Sequence, residues 1–375
     1  MTGPTHDLEA RIAALTGRER AVLTSRATAG LYLCFGVLAR QGGRIIFPAI
    51  LCPSPAYAAL YAGFEPLFCD VTPTTGNIDP DAFAAILKET PDVSAVVPTH
   101  LYGQPAEMER ICEIAQHAGI TVIEDIAQAL GATMPDGKPV GGFGTFAVLS
   151  FGHTKIVDAS YGGAIVTDDP DLADRLRAAE AKLPEPTENR ASLATEYRNE
   201  YYQIQDAART DRTAEAAFLD FPDRFRPLYL DRFDPGRAKD LAAALERLDA
   251  SVAARRRKAS IYDDAVTSAG LQPLHRGPGA APWRYGIRLA AEEQIRITEG
   301  LRAEGFDASN WYPSIHRWFA AGRTPDAPDL SAAELHEKTI LNLWLDDATD
   351  EARVVSTAEC LIRLARQHKR QKVAL

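Results

Sequence analysis

The chain has 375 residues, 46% of them hydrophobic and 25% charged, which is a globular mixture long enough for a sizeable core and two domains. A formal charge of −10 argues against nucleic acid as the main partner, because a phosphate-backbone binder presents a basic face. No apolar run approaches the length of a membrane span, and the start MTGPTHDLEARIAAL lacks the basic-then-apolar pattern of a secretory signal. The expected location is the cytoplasm. The five cysteines, Cys34, Cys52, Cys69, Cys112 and Cys360, are widely spaced and form no CxxC pair. They read as free thiols in a reducing compartment, with no metal site expected.

The first 180 residues alternate short apolar runs with amphipathic stretches. Strands are predicted at Arg44–Pro48, Glu65–Asp70, Ser94–Leu101, Ile120–Asp125, Thr145–Phe151 and Gly163–Thr167. Helices are predicted at Ala27–Arg40, Ser54–Ala62, Asp79–Lys88 and Pro105–His117. This alternation indicates an α/β fold with a mostly parallel sheet, in which ligands bind beyond the carboxyl ends of the strands. Asp169-Pro170 reads as a helix start, with Asp as N-cap and Pro in the first turn. From Pro184 to about Asp234 the chain turns charged and aromatic, and 184–230 reads as a helical insertion or lid. A long helix is predicted over Gly236–Val266, and its run Arg255, Arg256, Arg257 and Lys258 reads as a solvated face. The later segments suggest a smaller α+β domain. The predicted division is a large domain, 1–235, and a small C-terminal domain, 236–375.

Three strand ends carry chemistry. Glu124-Asp125, followed by Ile126-Ala127-Gln128, puts a carboxylate at the mouth of an apolar strand. It can pair with a cationic ring nitrogen, as pyridoxal phosphate (PLP) requires, or it can cap the next helix. The segment Leu149–Lys155 (LSFGHTK) delivers a lysine just past a buried strand. A desolvated lysine near other cations is a nucleophile toward carbonyls. Thr24–Gly30 (TSRATAG) places small and hydroxylated residues at a helix N-terminus, where backbone N–H groups can face a phosphate.

The blocks TSRATAGL, PAILCPSPAY, HLYGQP, VIEDIAQALGA, SFGHTK and YGGAIVTDD, in this order, resemble the DegT/StrS-type aminotransferases. These are PLP-dependent enzymes of fold type I, many of which aminate keto sugars on nucleotide carriers. The resemblance runs from about Leu8 to Lys182 and resumes more loosely from Asp234. It implies a large domain with a mostly parallel sheet and a smaller α+β domain. It further implies that Lys155 forms the Schiff base with PLP and shuttles the proton, and that Asp125 pairs with the pyridine nitrogen. Gln128 would lie on the side of the ring's phenolic oxygen. Ala27, Thr28 and Ser150 would hold the phosphate. Cys52 stands where many relatives have an aromatic stacked on the ring, and His153 would reach the phosphate or the substrate. Ala27 replaces the usual glycine of the phosphate turn, and Arg26 before it adds a charge for phosphate or substrate. Of the Asn-x-Arg segment that crosses to the neighbouring subunit in relatives, Arg237 is the matching residue here, so a homodimer is expected. Tyr201, Tyr202, Trp311, Tyr312 and His316 are candidates for the pocket wall.

Three activities follow from these residues. The first is amine transfer from an amino-acid donor to a keto or aldehyde acceptor, in sugar or specialised-metabolite biosynthesis. The second is a different PLP reaction, such as a lyase, aldol-type or cyclising step. The third is a non-catalytic regulatory protein on the same fold. A Rossmann dehydrogenase is excluded, because Gly141-Gly142-Phe143-Gly144 lacks the GxGxxG order and precedes a strand instead of following one.

Overall fold

The computed structural model describes residues 4–38, 42–208, 211–319 and 329–373. Seven strands form the main sheet: β1 (Arg20–Thr24), β2 (Arg44–Pro48), β3 (Glu65–Cys69), β4 (Val93–Val96), β5 (Thr121–Asp125), β6 (Phe146–Ser150) and β7 (Gly163–Thr167). Their order is β1-β7-β6-β5-β4-β2-β3. The strands from β6 to β3 are parallel, and β7 runs antiparallel to both β6 and β1. Runs such as VSAV and FAVLS are apolar on both faces because helices cover both sides.

The helices around this sheet are α1 (Pro4–Leu15), α2 (Ala27–Gly36), α3 (Ser54–Tyr61), α4 (Pro80–Glu89), α5 (Met108–Ala118) and α6 (Pro170–Glu180). Asp79 and Asp169 cap α4 and α6, each accepting two backbone N–H bonds, with proline in the first turn, as the sequence predicts for Asp169-Pro170. The 184–230 segment is helical, with α7 (Arg190–Ala208) and α8 (Ala217–Tyr229) antiparallel in sequence order across a short 3-10 turn. Pro222 inside α8 removes the N–H that would bond Phe218 O. The Tyr57 hydroxyl of α3 donates to that carbonyl at 3.0 Å, so the defect becomes a tie to the main domain.

The single helix predicted over Gly236–Val266 is two helices, α9 (Ala238–Leu245) and α10 (Leu248–Ser268). A second sheet, of order β10-β11-β9-β8, comprises β8 (Gln272–Pro273), β9 (Arg284–Arg288), β10 (Ala308–Ser309) and β11 (Ile340–Trp344). It is joined by α11 (Ala291–Ala303), α12 (Ser331–Thr339) and α13 (Glu351–Val373). The two sheets have separate cores, and α10 bridges them: Leu248 and Val252 pack in the first, Ala259, Tyr262 and Val266 in the second. Asp70, at the end of β3, caps α12 by accepting from Ala332 N and Ala333 N at 3.1 and 2.8 Å.

The solvated face expected at Arg255–Lys258 is half wrong. Arg256 and Arg257 are exposed, but Arg255 is 2% and Lys258 6% exposed. Both lie on the inner stripe of α10 with Val252, Ala259 and Tyr262, and carbonyls satisfy them: Arg255 Nη1 donates to Trp283 O at 3.0 Å, Lys258 Nζ to Asp346 O at 2.7 Å. Composition alone cannot show carbonyls that arrive from elsewhere in the fold.

Gly163 opens β7 directly beneath the start of α2. A Cβ there would come within 2.5 Å of Arg26 C and 2.6 Å of Ala27 N. Gly163→Ala is expected to lower unfolding stability by about 1–3 kcal/mol through overpacking, measured by urea denaturation. An unchanged midpoint would contradict this packing.

Candidate active site

The topology brings four chain segments to one edge of the main sheet. Thr24, Gly163 and Ser150 are register partners across β1, β7 and β6, and Asp125 ends the adjoining β5 opposite Val148. The α2 N-terminus, Ser150 and Asp125 therefore lie side by side, and the loop after β6 carries Lys155 over them. This is the carboxyl edge where an α/β sheet binds its ligand.

Lys155 is held by a constrained loop. Thr154, just before it, has φ +69, a left-handed conformation that costs a threonine about 1–3 kcal/mol. Two bonds enforce it. Thr154 N donates to Asp158 Oδ2 at 2.8 Å, and Trp283 Nε1 donates to Thr154 O at 2.6 Å. The Lys155 ammonium lies 5.6 Å from the centre of the Trp283 ring. Burial pushes its pKa below the ordinary lysine value and Arg284 adds to this, while Cys52 and Asp125 pull it back. The result is an amine that gives up its proton more readily than a surface lysine.

Asp125 is 5% exposed, and its Oδ1 accepts from Ala127 N at 2.9 Å. Burial raises its pKa, opposed by that N–H and by Lys155 and His100. The alternative of a helix cap is overturned, because no helix follows β5: residues 127–131 form a turn, and the Ala127 bond lies within it, leaving Asp125 free to face a cation. Gln128 is 3% exposed. Its Oε1 accepts from Tyr102 N at 2.9 Å and its Nε2 donates to the Tyr312 hydroxyl at 3.1 Å, which fixes the amide's orientation. Tyr102, Trp283 and Tyr312 stack pairwise with centroids 6.0–6.4 Å apart, forming an aromatic flank beside Lys155.

Glu124, next to Asp125, points the other way and is structural. It accepts from Gly141 N, Phe143 N and Gly144 N at 2.9, 2.5 and 2.7 Å. His100 Nδ1 accepts from Ala106 N at 3.0 Å, so Nε2 carries the proton and donates to Glu124 at 3.3 Å. Burial pushes the Glu124 pKa up, but His100 and the N–H donors outweigh it and hold the group below its ordinary value. The neighbouring carboxylates thus do different work, which their sequence positions alone leave open.

A layer of tyrosines covers the site. Cys52 is half-buried and within electrostatic reach of Tyr57, Tyr197, Tyr201, Tyr229 and Tyr312. Tyr197 and Tyr229 share a 2.9 Å hydrogen bond, Tyr201 meets Trp311 edge-on at 5.9 Å, and Phe218 stacks on Trp318 at 3.9 Å. Helices α7 and α8 therefore form a roof over Cys52 and Lys155. On the far side of Trp311 lies a separate cavity of about 430 Å³, bordered by Gln205, Glu215, Glu299 and Trp318.

Of the residues singled out from the sequence, Lys155, Asp125, Gln128, Cys52, Ser150, Ala27, Thr28 and Arg26 gather at this edge. His153 does not join them: its side chain is 81% exposed and pairs with Asp158 at 3.2 Å. Arg237 lies at the rim, over the Tyr161 ring at 5.6 Å and bonded to Ala159 O at 3.3 Å. Tyr201, Trp311 and Tyr312 line the roof and flank. Tyr202 is exposed, and His316 bonds Ser314 at 2.8 Å. Sequence reasoning missed Tyr102, His100, Trp283 and Arg284. HLYGQP marked the first two as a block, while nothing local marks the others.

Residues 1–215 match the DegT/DnrJ/EryC1/StrS aminotransferase family. The chain belongs to that family. Its members are PLP-dependent aminotransferases, so this protein is an enzyme of the transferase class with PLP as its cofactor. Among solved structures it is similar to DesI, crystallised in the presence of its TDP-sugar product, at 26% identity over 99% of this chain and 87% of that one, TM-score 0.77. It shares its fold with the aminotransferase TlmJ from Streptoalloteichus hindustanus (24% identity, 97% and 91% covered, TM-score 0.77). It also shares it with 3-amino-5-hydroxybenzoic acid synthase (23% identity, 97% and 91% covered, TM-score 0.77).

The residues present suit this cofactor. The first turn of α2 holds no acid, its N-cap residue makes no side-chain capping bond, and the Ser25 Oγ and Arg26 Nε beside it are buried without a partner. Orphan donors next to an acid-free helix start are what a phosphate requires. An aldehyde needs the amine of Lys155, and a pyridinium N–H needs Asp125.

Glu124→Ala, which strands three N–H donors and His100, is expected to cost at least about 3 kcal/mol. Because the native pKa of Glu124 is depressed, its contribution is present above the ordinary carboxylate range and is lost as pH falls. Glu124→Gln should accordingly flatten the acid limb of the stability curve, read by urea titration from neutral pH down through and below the ordinary carboxylate value of 4.5. An unaltered limb would contradict the assignment.

Proposed function

We propose that the protein transfers an amino group from an amino-acid donor to a keto or aldehyde acceptor in the biosynthesis of a small metabolite, with Lys155 and Asp125 as catalytic residues. The observation that carries this is the desolvated Lys155 amine held over the same sheet edge as the Asp125 carboxylate, each acting electrostatically on the other. PLP, when bound, supplies an aldehyde that condenses with amines and a protonated ring that accepts the electron pair of a broken Cα–H bond.

The chain's own groups do the rest. Lys155 Nζ would be the amine that holds the cofactor, and when free it would serve as the base for the Cα proton. Its lowered pKa keeps that base unprotonated nearer neutral pH than an ordinary lysine. The Asp125 carboxylate would hold the proton on the ring nitrogen, and a cation in front of it favours its charged form. Gln128, anchored by Tyr102 N, orients Tyr312 and would border the ring's oxygen side. Ala27, Thr28 and Ser150 would hold the phosphate. Cys52 would pack on the ring under the tyrosine roof, which would exclude water from the proton transfer.

DesI, with its TDP-sugar product, supports a keto-sugar acceptor, and the name of 3-amino-5-hydroxybenzoic acid synthase shows that the fold also serves a different ring. The acceptor here is therefore defined as a small carbonyl compound that passes beneath α7 and α8. We infer a cytoplasmic homodimer whose neighbouring subunit meets the rim that carries Arg237. No described helix is long and apolar enough to cross a membrane. Light scattering tests the dimer, and a fully active monomer would refute it.

Lys155→Ala should lower amine transfer from glutamate by at least about 10³-fold, and Asp125→Asn by about 10²-fold or more while still binding PLP. Single-turnover absorbance of the bound cofactor is the readout, and near-normal turnover in Lys155→Ala would end this reading. The rate at which the cofactor-free protein takes up pyridoxal should rise with pH and level off below the ordinary lysine pKa of 10.5. A plateau at or above that value would show an unperturbed amine.

A further inference from the structure

Arg26 is the residue that immediately precedes α2, and its position poses a charge problem. Its Nε is buried without a hydrogen-bond partner, and the neighbouring Ser25, 1% exposed, has an equally unpartnered Oγ. The ionisable side chains acting most strongly on Arg26 are four tyrosines, Tyr229, Tyr197, Tyr161 and Tyr61. Its guanidinium lies 5.8 Å from the centre of the Tyr229 ring. Arg26 as a whole is half-buried, and a cation with its Nε out of water and no acid beside it is costly unless something else supplies the negative charge.

A second guanidinium stands close by, but it has an acid of its own. Arg190, from α7, lies 5.3 Å from the Tyr161 ring centre, and its pKa is pushed down to about 10 by burial and by the charge of Arg26. Asp231 pairs with Arg190. No such acid serves Arg26 among the described residues. The missing negative charge therefore belongs to a ligand.

We propose that Arg26 is a phosphate ligand supplied in cis, so that the cofactor's phosphate is bound by this chain's own guanidinium together with the first turn of α2. The proposal rests on the PLP site described above. A phosphate monoester carries about −1.5 to −2 at neutral pH. A helix N-terminus offers roughly +0.5, so one full positive charge is needed beside it. Arg26 directly precedes Ala27 and Thr28, so its side chain starts beside the N–H groups that would face the phosphate. Gly163 allows this, because its missing Cβ lets the Arg26–Ala27 peptide seat on β7. Tyr229 and Tyr197 of the insertion stand around the guanidinium, so the 184–230 segment shields this ion pair from water. Phosphate binding then needs no arginine from a neighbouring subunit, although the dimer can still form.

The test uses the full-length chain stripped of cofactor, with PLP, pyridoxal and inorganic phosphate as probes. Arg26→Met, which keeps an apolar stem against Tyr229, should weaken PLP binding at least tenfold in an equilibrium fluorescence titration. It should leave pyridoxal, which lacks the phosphate, within twofold. Inorganic phosphate should raise the melting temperature of the stripped wild-type protein and not that of Arg26→Met. Arg26→Lys should recover part of both effects. PLP retention by the wild type should not change on dilution below the dimer concentration range. PLP affinity within twofold of wild type in Arg26→Met would overturn the proposal, and a raised half-saturation for glutamate in that case would assign Arg26 to a substrate carboxylate. If Arg26→Met does not fold, absence of a phosphate-induced shift in the wild type overturns it equally. Failure of the underlying cofactor reading looks different: the wild type would bind neither PLP nor pyridoxal, whatever stands at position 26.

Discussion

The site depends on holding a primary amine and a carboxylate out of water at one edge of a parallel sheet. Desolvation acts oppositely on the two groups. It drives the Lys155 pKa down and the Asp125 pKa up, and each group partly restores the other's charge. Much of the surrounding structure maintains this pair. β5 and β6 lie side by side in parallel, so their ends deliver Asp125 and the lysine loop together. Trp283 and Asp158 hold Thr154 in its left-handed turn, which positions Lys155. Gln128 and Tyr312 bond beside Asp125, and the Glu124–His100 network braces the same strand from behind.

Much of this was legible in the sequence because it is local. Lys155, Asp125, Gln128 and Ser150 sit at or just past strand ends, and a short apolar run followed by a polar residue marks such an end directly. The helical character of 184–230 was also legible, as was the Asp169-Pro170 helix start. β1 was not, since RAVLT is short and becomes a strand by pairing with β7, more than a hundred residues later. Arg255 and Lys258 misled because a basic run ordinarily faces solvent, and the carbonyls that satisfy them come from Trp283 and Asp346. Glu124 and Asp125 are chemically alike in sequence, and only the Gly141–Gly144 loop closing on Glu124 distinguishes them. His153 shows the converse. Its place two residues before the lysine suggests the pocket, yet the turn at Thr154 leaves it exposed.

The insertion gives the site its particular character. Its aromatic side chains fill the space above Cys52 with edge-to-face and stacked rings, an apolar lining in which any charge must be paired. The Arg317 guanidinium ties it to the smaller sheet's helices by pairing with both Glu215 and Glu337, at 3.2 and 2.8 Å. The roof is therefore anchored where α8 begins, through Tyr57 to the main domain and through Arg317 to α12. Under the proposed function, such a roof would exclude water from a proton transfer at Lys155 and bound the acceptor's size and polarity.

The central claim is that Lys155 is the residue to which the cofactor attaches. Borohydride reduction of the PLP-loaded protein, followed by digestion and mass spectrometry, tests it most directly. The account predicts a single phosphopyridoxyl-modified peptide carrying the mass addition on Lys155. Modification of a different lysine, or of none in protein that binds PLP, would contradict it.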